Sequence, residues 1–204
     1  TPNPNEYAPN SNTAHAYVST DVALHIRTKA VVGLRAEHFI QRHTGRDQTY
    51  ASGDVTNGKN LTNDVVLNSL DLFPSLNVIY SLNESQNLRL SATRTIARPS
   101  FKELSFAQII DPLTNRIFNG SFFEYAAWSG QLVETRVNNA DLRWEKFFER
   151  GQMFSISGFF KDFNHPIELV RIAEQQTSTE FQPRNVGRGT MLGAEVEWNA
   201  SFAG

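Results

Sequence analysis

The sequence contains no cysteine, which excludes a disulfide framework, thiolate-ligated zinc and cysteine nucleophiles at once. Long hydrophobic runs are missing as well. The longest nearly uncharged stretch, residues 68–83, is interrupted by Asp71, Pro74 and Asn77, whereas a membrane-spanning helix needs about 20 predominantly apolar residues. A membrane barrel survives that test, because each of its strands needs only about 9–11 residues and alternates apolar with polar. The formal net charge is −2 and the basic residues are scattered, so no cationic patch marks a nucleic-acid partner. No basic-then-apolar leader opens the chain. Residues 1–13 are rich in Pro, Asn and Ser and read as a loop, and any export signal is expected outside residues 1–204.

What the chain does have is a period of two. Ala30, Val32, Leu34, Ala36, His38 and Ile40 alternate with Lys29, Arg35, Glu37 and Gln41, as in a strand with one apolar and one polar face. Further on, Leu88, Leu90, Ala92 and Ile96 oppose Arg89, Ser91 and Thr93, with Arg94 breaking the apolar side. The split recurs as Ala140, Leu142, Trp144 and Phe148 against Asp141, Arg143 and Glu145, and as Phe154, Ile156, Gly158 and Phe160 against Ser155, Ser157 and Lys161. It is cleanest where Leu192, Ala194, Val196, Trp198, Ala200 and Phe202 oppose Glu195 and Glu197. Weaker alternation covers residues 14–24 and 70–82, the latter diluted by Phe73 and Ile79 on the polar side. Seven strands are therefore expected, near 14–24, 29–42, 70–82, 87–97, 134–148, 153–163 and 190–203.

The connections alternate in length: three are tight and polar (residues 25–28, 83–86 and 149–152), and three are long (42–69, 97–133 and 164–189). Short turns at one end and long loops at the other is the layout of outer-membrane barrels. A soluble sandwich also alternates, but its loops are mostly short, and structureless loops beyond about 12–15 residues are uncommon in a compact domain. Trp144, Phe148, Phe154, Trp198 and Phe202 lie near the tight turns, where barrels carry an aromatic girdle. The fold class expected is all-β: an antiparallel, up-and-down transmembrane barrel segment of about seven strands from a larger barrel.

Two stretches carry a family likeness. Residues 72–84, Leu-Phe-Pro-Ser-Leu-Asn-Val-Ile-Tyr-Ser-Leu-Asn-Glu, lead through a tight turn into residues 87–104, Asn-Leu-Arg-Leu-Ser-Ala-Thr-Arg-Thr-Ile-Ala-Arg-Pro-Ser-Phe-Lys-Glu-Leu. This pair resembles consecutive barrel strands of TonB-dependent outer-membrane receptors, in particular the large-barrel receptors common in Bacteroidetes. Residues 137–145, residues 155–168 and the run Gly193-Ala194-Glu195-Val196-Glu197 are similar to further strands of that family, so the resemblance spans about residues 14–203. The family's plug domain, its TonB box and its last strand with a terminal aromatic are not recognisable here. Residues 119–125, Asn-Gly-Ser-Phe-Phe-Glu-Tyr, also depart from the family's usual motif in that loop.

The resemblance implies active import of a nutrient such as a siderophore, oligosaccharide or peptide. The partners implied are TonB through an N-terminal segment of the parent, a plug domain, outer-membrane lipid and a surface ligand-binding lipoprotein. No cofactor, metal or enzymatic role is expected. A passive or adhesive barrel and a soluble β-rich enzyme using Glu195 and Glu197 are the alternatives. The polar faces offer Arg35, Glu37, Arg89, Asp141, Arg143, Glu145, Lys161, Glu195 and Glu197 as lumen-facing groups. Within the aromatic-rich loop, Phe122, Phe123, Tyr125 and Trp128 are candidates for ligand contact, Tyr125 and Trp128 foremost, although for any single ring a packed loop cap is the more ordinary explanation. A segment of this kind leaves unpaired strand edges in lipid, so it is expected to be stable only within a larger chain or assembly.

Overall fold

The computed structural model describes residues 3–125, 128, 130–174 and 178–200, without the side chains of Arg150 and Glu174. Seven long strands make one antiparallel sheet: β1 (Ala8–His25), β2 (Thr28–Arg46), β3 (Asn60–Asn83), β4 (Gln86–Ala97), β7 (Thr135–Phe147), β8 (Met153–Asn164) and β11 (Arg188–Asn199). Each pairs with its predecessor in this order, the topology of an up-and-down wall. The sheet is open, with β1 at one edge and β11 at the other. Residues 201–203 of the last expected strand, Phe202 among them, lie outside the described residues.

The expected faces follow from the register. Leu34 stands opposite Val18 and Pro74, Leu90 opposite Val78 and Leu142, and Val196 opposite Ile156. One continuous apolar face results, and it is open to its surroundings: Leu70, Leu192, Val196 and Trp198 are all more than half exposed. Near the tight turns Phe154 lies 6.1 Å from Trp144 and 5.7 Å from Trp198, while Phe148 lies 6.0 Å from Trp198. These are aromatic centroid separations of attractive pairs. Glycine is needed at one of these turns, where Gly151 takes φ +75° as the last residue of a short 3₁₀ turn.

Three expectations need correcting. Residues 8–13 are strand rather than loop, paired from Ala8 opposite Thr44 to Thr13 opposite Phe39; Pro9 is accommodated because β1 pairs on one side only. β3 begins at Asn60, ten residues before the expected start at residue 70, so β2 and β3 form a long arm joined by α1 (Gln48–Ala51) and a short loop. The long loops are not structureless either. They contribute β5 (Gln108–Asp111), β6 (Arg116–Asn119), β9 (Ile167–Glu174) and β10 (Thr179–Asn185), which form a second sheet in the order β5-β6-β10-β9. Phe118 of β6 stacks on Phe181 of β10 at 5.7 Å. Short strands of this kind gain stability from each other rather than from a period legible in isolation.

Pro74 marks where the wall divides. A proline lacks the N–H that a central strand donates to its ladder. The pairing of β3 with β4 begins only at Ser75 opposite Thr93, so the outer half of β3 pairs with β2 alone. The polar side of this outer half is where the second loop comes to rest.

Candidate functional site

The register carries Arg35, Glu37, Arg89, Asp141, Arg143, Glu145, Lys161, Glu195 and Glu197 to the face opposite the apolar one. Arg89, Arg143, Ser157 and Glu195 form one cross-strand row, and Asn87, Glu145, Ser155 and Glu197 the next. Arg89 and Arg143 are direct neighbours, an arrangement that like charges disfavour. Glu145, buried between them, offsets it by accepting from Arg89 Nε at 2.6 Å and Arg143 Nε at 3.0 Å. Arg143 Nη2 then donates to Glu197 at 2.7 Å, which links β4, β7 and β11. Lys161 sits over the Phe159 ring at 5.6 Å, and that ring lies across Gly193, where a Cβ would collide with it.

A second charged cluster occupies the outer half of the same face. Glu37 and Asp71 face each other across β2 and β3, both buried. Two carboxylates so placed require cations. Arg98 supplies one, with Nη2 at 2.6 Å from Glu37 and 3.8 Å from Asp71, its guanidinium 4.1 Å above the Phe39 ring. Arg136 reaches Asp71 at 3.2 Å and the buried Glu134 at 3.0 Å, and Arg35 pairs with Glu37. Arg98 and Glu134 flank the segment 99–133, so this cluster fastens both ends of that segment to the wall. A cleft of about 320 Å³ opens beside it, lined by Arg35, Glu37, Phe73, Arg94 and Arg98 among others.

The fastened segment packs down through its apolar residues. Leu104 and Leu132 form a buried cluster with Phe39 of β2 and Leu67 of β3, and Phe122 and Trp128 pack against it. Its own ladder continues the β5–β6 hairpin, with Ser121 N donating to Glu103 O at 2.7 Å and Phe122 N to Ser105 O at 3.1 Å. Gly120 is required at this approach, since a Cβ would strike the Ser105 carbonyl. From β10 the buried Gln182 donates through Nε2 to the carbonyls of Gly120 at 3.2 Å and Phe123 at 2.6 Å. Trp128 Nε1 donates to Ser121 O at 2.9 Å, and Arg184 lies 4.9 Å above the indole.

The four aromatic candidates thus separate. Phe122 and Trp128 are part of the packed cap, Phe123 is half-buried, and Tyr125 is exposed beside Glu124, which pairs with Lys59 of the neighbouring loop. Sequence reasoning did not single out Asp71, Arg98, Glu134, Arg136 or Gln182. Asp71 shared the parity of Phe73 and so belonged to the polar face, Glu134 and Arg136 fell at the start of the expected strand 134–148 on its apolar parity, and Arg98 and Gln182 lie in the expected loops 97–133 and 164–189, where no period assigns a face. His43, completely buried with Tyr7 at 5.7 Å, Phe122 at 5.5 Å and Phe106 at 6.4 Å, was likewise placed by tertiary packing alone.

An apolar exposed face, a charged opposite face, tight turns at one end and a folded cap at the other define a wall segment of a transmembrane β-barrel. The family model described as "TonB dependent receptor-like, beta-barrel" matches residues 1–203, and the chain belongs to that family. Its location is the bacterial outer membrane. No curated protein sequence matches the chain. Among solved structures, the hemophore receptor HasR of Serratia marcescens, in complex with its hemophore HasA and heme, is similar over 94% of this chain and 32% of its own, at 12% identity and TM-score 0.67. The ferric enterobactin receptor PfeA of Pseudomonas aeruginosa matches 97% of this chain and 34% of its own, at 16% identity and TM-score 0.56. The copper transporter OprC matches 90% of this chain and 26% of its own, at 16% identity and TM-score 0.58. The chain thus spans about a third or less of the length of these relatives, and at these identities the likeness is one of fold.

Proposed function

We propose that the chain supplies barrel wall and extracellular loops to a receptor that imports a nutrient across the outer membrane with energy delivered through TonB. The observation that carries this reading is the charged face, which is partly covered by a structured loop fastened to the wall by Arg98, Arg136 and their carboxylate partners. A wall that only anchored the protein would need neither a polar network across β4, β7 and β11 nor a seated cap. In this reading Arg35, Glu37, Arg89, Asp141, Arg143, Glu145, Lys161, Glu195 and Glu197 line an aqueous lumen and hydrogen-bond a plug domain. The exposed ring of Tyr125 and the half-buried Phe123 meet ligand at the extracellular surface, while Phe122 and Trp128 hold the loop in shape.

The nutrient class is a siderophore, an oligosaccharide or a peptide, all of which offer faces for aromatic contact and groups for hydrogen bonds. HasR binds a hemophore, and by analogy a surface lipoprotein partner fits a receptor with an elaborated outer sheet. The test is uptake of a panel of labelled siderophores, oligosaccharides and peptides by cells with and without the intact gene, each in the presence and absence of TonB. Accumulation of one ligand class that needs both the gene and TonB supports the proposal. Surface binding without TonB-dependent accumulation overturns it in favour of an adhesive barrel.

A further inference from the structure

The apolar face turns polar at the loop end of four strands. Arg94 of β4, Asn138 of β7, Asp162 of β8 and Thr190 of β11 stand opposite one another across four adjacent strands, on the side that otherwise presents apolar residues. Immediately below, toward the tight turns, the row reads Ala92, Ala140, Phe160 and Leu192. The transition from apolar to polar is therefore one residue pair wide, and it lies at the loop end of every strand involved. Arg188, two residues beyond Thr190, stands in the next row with Asn164 and Arg136, and its side chain is 71% exposed.

The charges in these two rows do not balance. Asp162 accepts from Arg188 Nη2 at 3.0 Å and, more weakly, from Asn138 and Asn164. Arg94 Nε donates to the neutral amide of Asn138 at 3.0 Å, and no ion pair of Arg94 is found among the described residues. Arg94 and Arg188 thus have the single carboxylate of Asp162 between their strands, while Arg136, of the same parity, is paired with Asp71 and Glu134. Beside Arg188 runs a groove of about 600 Å³ across β7, β8 and β11, lined by Ala140 and Phe160 together with Asn138, Asp162, Arg188 and Thr190, and Arg94 stands one strand further on, next to Asn138. On the lipid side of a barrel, cations at the edge of the apolar band cost little because they reach into the interface, where arginine can bind phosphate oxygens through paired N–H groups.

We infer that these two rows form a binding site for a phosphorylated, multiply acylated lipid of the outer leaflet, with phosphate on Arg94 and Arg188 and an acyl chain lying along Ala140 and Phe160. Arg94 and Arg188 stand on strands three spacings apart, roughly 14 Å at about 4.8 Å per spacing. That span suits a headgroup with phosphates at both ends of a disaccharide. The groove supplies the other half of the recognition, because a free phosphate would gain nothing from its apolar residues. This site is independent of what the receptor imports.

The test uses the intact receptor in detergent, with lipid occupancy read by native mass spectrometry against bisphosphorylated lipid A, its dephosphorylated form, and inorganic phosphate as competitor. The wild-type protein is expected to retain the bisphosphorylated lipid at least tenfold better than the dephosphorylated one, with millimolar inorganic phosphate displacing little of it. The double variant Arg94→Gln, Arg188→Gln is expected to lose that preference while keeping the barrel's resistance to unfolding in SDS. Lys146→Gln removes a cation from the same face at the opposite end and is expected to leave retention unchanged. Equal retention of both lipids, an unaltered double variant, or an equal loss in Lys146→Gln overturns the inference. Full displacement by inorganic phosphate assigns the site to a free anion and overturns it as well.

Discussion

Glu37 and Asp71 pose the sharpest problem at the scale of single residues, because two buried carboxylates facing each other across neighbouring strands are tolerable only with cations in place. Arg98 is the cation nearest to Glu37 after Arg35, and its own side chain is largely shielded. Removing one partner of a buried ion pair typically costs about 3–5 kcal/mol. Arg98→Ala is therefore expected to release the cap, seen as faster amide exchange at Ser121 and Phe122 and as new tryptic cleavage at Lys102. Asp71→Asn removes the repulsion instead and is expected to loosen the cap far less. A second residue-scale prediction concerns Asp111, whose carboxylate is held below its usual pKa by the Thr114 hydroxyl and the Leu113 amide at the β5–β6 turn. A depressed folded pKa stabilises the turn above the ordinary carboxylate value and loses that stabilisation as the pH falls through the folded one. Amide exchange at Leu113 should accelerate relative to its intrinsic rate on acidification below about pH 4, and Asp111→Asn should abolish this pH dependence. None of these pairs was legible in the sequence: Glu37 could be assigned a face from its period, but its partner Arg98 lies in a stretch with none.

The elements divide by how locally they are specified. Strands β2, β4, β7, β8 and β11 could be read from alternation because one face meets an apolar medium and the other does not, so each residue's parity decides its type. That logic fails for residues 60–69 of β3, where both faces carry polar groups and only pairing with β2 makes a strand. It fails again for the four short strands of the outer sheet, which depend on one another and on single bonds. Gln182 shows how much one bond set carries. Its buried amide donates to the carbonyls of Gly120 and Phe123, and truncation would leave these acceptors without that donor. Unsatisfied buried polar groups cost about 1–3 kcal/mol, so Gln182→Ala is expected to detach the 120–123 segment from β10 without unfolding the wall. Local protease accessibility between Asn119 and Tyr125, set against an unchanged melting profile of the barrel, checks this. The aromatic candidates separate for the same reason: composition flagged all four, but only pairing and packing tell Tyr125, exposed, from Trp128, tied to Ser121.

At the scale of the whole molecule, the surroundings decide which residues belong where. In water, the exposed apolar face of β1 to β11 would be a large aggregation-prone patch, whereas in a bilayer it is the surface that holds the barrel in place. The edges of β1 and β11 make the same demand, since unpaired backbone groups cannot be left in hydrocarbon and require neighbouring strands. The two faces should therefore respond oppositely to charge. Leu142 is half exposed in the middle of the apolar face of β7, and Asp141 beside it points to the charged face. Arginine near the bilayer midplane on the lipid side costs about 2–4 kcal/mol, while lumen positions tolerate it. Leu142→Arg in the intact receptor is expected to lower folding stability by that amount in phospholipid vesicles, with Asp141→Arg close to the wild type, as measured by urea titration of the folded, SDS-resistant fraction. Equal effects at the two positions would mean that both faces meet the same medium, and a wall of this chemistry would then have no reason to alternate.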